Sequence, residues 1–205
     1  MRKLQILMLS AAALVLAGQA QAAKILGVID GMNTWDTPEM FSLEVTEATA
    51  GESVKWVQYD LANGMFFDFD NEGNYMDLGL PDPILGTLVG VNAGDISYTY
   101  LNEKADQPQN FYSLRINFDP GTFGLGDFMS FAVDTDFPSP TPGGLFDGSS
   151  LSVMMWNGDT GHSTFTDVSR TRSEVEVTTA VPEPTAALVF GIGAVLHGVA
   201  IRKRR

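Results

Sequence analysis

Ser53-Val54-Lys55-Trp56-Val57-Gln58-Tyr59 is the clearest alternating stretch in this 205-residue chain. A period near two is what a strand needs when one face meets a core and the other meets water. Glu174-Val175-Glu176-Val177 repeats the pattern close to the end. Before and between them lie short runs rich in Val, Ile, Phe, Tyr and Thr. These place strands at 24–29, 41–46, 53–59, 65–69, 85–91, 96–101, 112–118, 128–133, 151–156, 163–168 and 174–178. The separators are turn formers: Asn63-Gly64, Asp119-Pro120-Gly121 and Asn157-Gly158-Asp159. Gly supplies positive φ, Pro presets φ, and Asx side chains bond their own backbone. No stretch of the middle keeps a 3.6-residue period for three turns. Many short strands with Gly/Pro turns define an all-β sandwich or barrel. The Pro-rich run 138–144 reads as a long end-loop joining two sheets. The expectation is therefore a single β-sandwich (jelly-roll-like) domain with no internal repeat.

The two ends of the chain have a different composition. Met1-Arg2-Lys3 is a short basic region, 4–18 is apolar apart from Gln5 and Ser10, and Ala20-Gln21-Ala22 is an A-x-A site before Ala23. These are the proportions of a secretory signal peptide, 1–22. At the other end, Val181-Pro182-Glu183-Pro184 precedes 17 residues, 185–201, with one His and no formal charge. Arg202-Lys203-Arg204-Arg205 follows. The prolines favour extended backbone in the tetrapeptide. The apolar run is at the short limit for a membrane-spanning helix, roughly 17–25 residues. A basic cluster after it holds that end on the cytoplasmic side.

In this order the three features resemble the PEP-CTERM sorting signal of Gram-negative bacteria. The resemblance covers about an eighth of the chain, 181–205. It implies transient recognition by exosortase, an inner-membrane protease that cuts near the motif formed here by Val181, Pro182, Glu183 and Pro184. It further implies delivery of the body to the cell surface or the exopolysaccharide matrix, with exopolysaccharide a candidate partner. His197 departs from a wholly apolar helix, at a modest cost for a neutral imidazole near the basic end. Within the body, Phe118-Asp119-Pro120-Gly121 followed by Ser130-Phe131-Ala132-Val133-Asp134-Thr135-Asp136 is similar to a segment of many PEP-CTERM cargo domains. That similarity implies a sandwich and no activity.

Removal of both ends by signal peptidase and exosortase leaves 23–180 as the exported domain. It has six Lys or Arg against 24 Asp or Glu, a net charge of −18, compared with −13 for the whole chain. So acidic a surface repels nucleic acid and anionic membranes. There is no Cys, which excludes thiol catalysis, disulfides and Cys-ligated metals. His162 is the one His of the domain; no Gly-x-Ser-x-Gly elbow accompanies it, and it reads as a turn or strand-edge residue. A glycosidase needs only two carboxylates, but 24 candidates do not select a pair. One metal pattern stands out. Asp68-Phe69-Asp70-Asn71-Glu72-Gly73 opens like a calcium loop, with Asp68, Asp70 and Glu72 as oxygen ligands, and Gly79 stands where such a loop has its bidentate Glu. Asp134-Thr135-Asp136 is a second acidic pair. Trp35, Trp56, Trp156, Phe66 and Phe67 are candidates for sugar stacking, against the commoner role of aromatics as core. The function expected is a non-enzymatic surface or matrix protein, membrane-anchored as an inner-membrane precursor with a periplasmic body. The alternative is a secreted carbohydrate-binding module or glycosidase.

Overall fold

Along Phe41–Glu47 every second side chain is buried: Phe41, Leu43 and Val45 point inward, while Glu44 and Thr46 face out. Val175 and Val177 of Arg172–Thr178 are buried in the same way on either side of exposed Glu176. The computed structural model describes residues 21–30, 39–68, 83–106, 108–136, 146–169 and 171–180. The expected signal peptide up to Ala20, the sorting signal 181–205, Trp35, Asp70, Glu72 and the Pro-rich run 138–144 lie outside the described residues.

The strands are Lys24–Asp30 (β1), Phe41–Glu47 (β2), Val54–Asp60 (β3), Phe66–Asp68 (β4), Ile84–Val89 (β5), Ile96–Glu103 (β6), Asn110–Phe118 (β7), Phe128–Ala132 (β8), Thr135–Asp136 (β9), Ser150–Met155 (β10), Thr160–Thr164 (β11), Thr166–Ser169 (β12) and Arg172–Thr178 (β13). They form two sheets, and every pairing is antiparallel. The first sheet runs β12-β13-β1-β2-β8-β5. In the second, β11-β10-β3-β7 form a continuous row, β6 lies on the other edge of β7, and β4 continues beside β7 with β9 outside it. Among the described residues the chain is all-β and sandwich-like, apart from a short 3₁₀ turn at Ala93–Asp95. All described strands belong to a compact unit, Ala22–Ala180.

The sheets meet through a cluster of aromatic rings. Phe41 of β2 stacks on Phe131 of β8 at 5.1 Å and meets Tyr59 of β3 edge-on at 5.6 Å. Phe146 and Phe165 close the cluster, 5.9 Å from Phe41 and 6.0 Å from Tyr59 respectively. Each fully buried side chain of this kind contributes roughly 1.5–3 kcal/mol of transfer free energy. Phe118 and Phe123 stack separately at 4.3 Å.

Three features depart from the sequence reading. The stretch 163–168 is two strands: β11 ends at Thr164 in the second sheet and β12 starts at Thr166 in the first. Phe165 between them is fully buried, and its N–H donates to the Ser149 carbonyl at 2.8 Å. Anchoring this ring in the core turns the chain from one sheet to the other. Second, the Pro-rich run does not join two sheets, because β9 and β10 on either side of it both belong to the second. The crossing happens earlier, at Val133 and Asp134 between β8 and β9. Third, β3 is not a simple alternation. Met154 pairs with Trp56 and Met155 with Val54, which leaves Lys55 as the extra residue of a β-bulge. The bulge lets Val54 and Val57 both face the core and puts Trp56 on the outer face.

Candidate functional site

The two ends of the described unit meet. Ala23 is buried, its N–H donates to Thr179 Oγ1 at 3.0 Å, and the Thr179 N–H returns a bond to the Ala23 carbonyl at 2.9 Å. Ala180 N–H bonds the Thr160 carbonyl at 3.0 Å. Ala23 and Thr179 thus lie at one corner of the first sheet, where Lys24 pairs with Thr178; the expected motif from Val181 lies outside the described residues. Among the described residues no helix is long and apolar enough to cross a membrane; the 185–201 segment lies outside them.

The outer face of the second sheet gathers the polar residues. Strand register aligns His162, Ser152, Gln58, Arg115 and Thr99 in one row across β11, β10, β3, β7 and β6. Arg115 donates to Gln58 Oε1 from Nε (3.0 Å) and Nη2 (2.7 Å). Gln58 Nε2 donates to Asp60 Oδ1 at 2.8 Å, and Ser113 Oγ donates to the same oxygen at 2.5 Å. Trp56 lies under the Arg115 guanidinium at 4.5 Å, and Trp156 under the Lys55 ammonium at 5.1 Å. Among the described residues Lys24, Lys104 and Arg172 form ion pairs, whereas Lys55 and Arg115 form none. Phe66 and Phe67 are buried and take no part in this face. The Trp residues were legible as candidates; the row of polar partners was not, because it depends on register.

His162 sits on β11, an edge strand of the second sheet, with Nδ1 2.9 Å from Ser152 Oγ. Among the described residues no carboxylate hydrogen-bonds the imidazole to orient it, as a nucleophile–base pair requires. A shallow groove of about 280 Å³ lies on the outer face of the first sheet, floored by Leu26, Val28 and Phe128. Its carboxylates, Asp30, Glu39 and Glu44, are exposed, and no Trp lines it. Arg172 bridges Glu174 (2.6 Å) and Asp30 (3.1 Å), and these bonds hold its pKa above the ordinary value. The Glu47 carboxylate likewise raises the pKa of Lys24.

A third place lies where β4 runs between β7 and β9. Asp68 pairs with Asn110, and its N–H donates to the Asp134 carbonyl at 3.1 Å. Asp68, Asn110 and Asp134 are all buried. Asp68 was expected as a ligand with Asp70 and Glu72, which lie outside the described residues; Asp134 and Asn110 are brought to it by pairing. Among the described residues no three His, Cys, Asp or Glu side chains come together.

No family model, curated protein or solved structure matches this chain.

Proposed function

We propose that the chain is the precursor of an exported cell-surface or exopolysaccharide-matrix protein whose body has a structural or interaction role. The observation that carries this reading is the tail: Val181-Pro182-Glu183-Pro184, an uncharged 17-residue segment, and Arg202 to Arg205, in that order. The signal-like start, with Ala20 and Ala22 before Ala23, supports it. Together they describe a body held in the periplasm by a C-terminal helix, freed when exosortase cuts near Pro182-Glu183-Pro184. The finer topology we propose is jelly-roll-like, since the chain changes sheet repeatedly, between β2 and β3, β5 and β6, and β7 and β8. Mass spectrometry of both ends of the protein, fraction by fraction, tests the reading. The expected extracellular form begins at Ala23 and ends near Val181. A Glu183→Ala or Pro184→Ala variant should stay uncut in the membrane. Normal release of both variants with the parent C-terminus would sink exosortase recognition, and recovery only in the cytoplasm would sink export.

A second reading, a carbohydrate-binding module, is favoured by one observation: Trp56, Gln58, Asp60 and Arg115 share an outer sheet face. Aromatic rings beside hydrogen-bonding side chains suit a sugar ring, which would displace the Arg115 and Lys55 cations that lie over Trp56 and Trp156. Affinity electrophoresis on acidic and neutral polysaccharides should show retardation that Trp56→Ala and Trp156→Ala abolish. Equal mobility of parent and variants on every polysaccharide would remove this reading.

A further inference from the structure

We propose that the outer face of the second sheet around Trp56 and Arg115 selects polysaccharide that carries carboxylate groups. This deepens the carbohydrate-binding reading and rests on it. Charge divides the molecule by face. The outer face of the first sheet carries Glu44, Glu174 and Glu176, and the cations beside them, Lys24 and Arg172, are already ion-paired. In the second sheet, the rows that cross β11, β10, β3, β7 and β6 through Trp56, Gln58 and Asp60 contain one carboxylate, Asp60. The same rows carry Arg115, and Lys55 adjoins them over the Trp156 ring. Neither Arg115 nor Lys55 has an ion-pair partner among the described residues. Packed sheets are about 10 Å apart, more than the Debye length of about 8 Å at physiological ionic strength. The carboxylates of the first face are therefore largely screened from a ligand on the second, where the local charge is positive.

The guanidinium is oriented before any ligand arrives. Asp60 Oδ1 accepts from Gln58 Nε2 at 2.8 Å, which turns Gln58 Oε1 toward the Arg115 Nε and Nη2 donors. Those bonds spend two of the five N–H donors of Arg115. The edge between Nη1 and Nη2 keeps its donors, and a planar fork of this kind matches a carboxylate. Arg115 lies 4.5 Å over Trp56 and Lys55 5.1 Å over Trp156, so each cation touches a ring on which a sugar would stack. Trp156 stands two residues past Met154, the partner of Trp56, and is 42% exposed, so one saccharide chain can meet both rings. A neutral sugar that displaces the cations loses both cation–π contacts and returns nothing ionic. A sugar with a carboxylate moves the cation aside and pairs with it in the same step.

The full-length chain in non-ionic detergent, at about 0.15 M salt, is titrated against immobilised oligogalacturonate, its methyl ester and double-stranded DNA. The ester keeps the sugar ring and removes the charge. The acid should bind about tenfold more tightly than the ester, the difference between a charge-assisted and a neutral hydrogen bond. Arg115→Gln should lose most of that ratio, and Arg115→Lys should keep part of it, since it retains the charge without the fork. Lys55→Gln, which leaves every hydrogen bond of the sheet in place, should lose part as well. Glu44→Gln on the opposite sheet should leave the ratio unchanged. Trp56→Ala should weaken acid and ester alike, which tests the reading beneath. Equal binding of acid and ester, both lost in Trp56→Ala, overturns the selectivity and leaves the carbohydrate reading standing. Binding of neither overturns it as well, and retardation on other polysaccharides would then leave only the broader reading. The proposal also falls if Arg115→Gln and Lys55→Gln both keep the full ratio, or if DNA binds as tightly as oligogalacturonate.

Discussion

Tyr59 carries a hydroxyl into the middle of the aromatic cluster, where it is 1% exposed and its Oη has no hydrogen-bond partner. The ring is well used and the oxygen is not. Tyr59→Phe keeps the contacts with Phe41, Phe131 and Phe165 and removes a buried unsatisfied group, so urea unfolding should show a gain of about 1–3 kcal/mol. A loss would mean that the hydroxyl has a partner such as buried water. Burial also pushes the phenol well above its ordinary pKa. The unfolded chain then releases this proton near pH 10 while the folded one retains it. Stability contributed by the neutral form is intact below that pH and falls as the pH rises through it. The Tyr59→Phe variant should lack this part of the alkaline decline.

At the scale of the element, runs of β-formers between turn residues, with clear alternation in a few of them, made most strands legible. What the pattern could not carry was any event that preserves it. Thr160 to Ser169 stays strand-like throughout, so nothing in its composition marks Phe165 as the corner between sheets. The two-residue β9 is too short to show a period. The Asp68–Asp134 neighbourhood arises from pairing between distant segments, and the row of Gln58 and Arg115 from register. The crossing at Phe165 also creates a close approach. A Cβ added to Gly161 on β11 would lie 2.7 Å from the Thr178 carbonyl oxygen and 2.7 Å from Val177 Cγ1. Backbone of β13 cannot swing aside as a flexible side chain would. Gly161→Ala should cost about 1–3 kcal/mol as overpacking, read as a lower denaturation midpoint with unchanged m-value. An unchanged midpoint would show that β11 can lift away from β13.

The whole molecule is dominated by charge. With 25 Asp or Glu against 12 Lys or Arg, repulsion among carboxylates opposes the compact state. Salt at 0.1 M screens such charges beyond about 10 Å. The melting temperature of the full chain should rise between 10 and 200 mM sodium chloride (about the range over which screening sets in). It should rise less in a variant with several surface carboxylates changed to amides. A flat profile would mean that the ion pairs of Arg172 and Lys24 already balance the surface.

Among the described residues the first strand and the last are neighbours: β1 lies between β2 and β13, and the Ala23–Thr179 bond joins positions 156 apart in sequence. A ribosome delivers the chain from its N-terminus, so β1 waits for its second partner through almost the entire time of synthesis. Until then it is an open edge, able to recruit any strand that passes. Loops of this span also close slowly. A chain stopped before Arg172 would lack β13 and could never cover that edge. Completion of the polypeptide is thus itself a checkpoint, and half-made copies are marked for aggregation or proteolysis by the gap beside their own first strand.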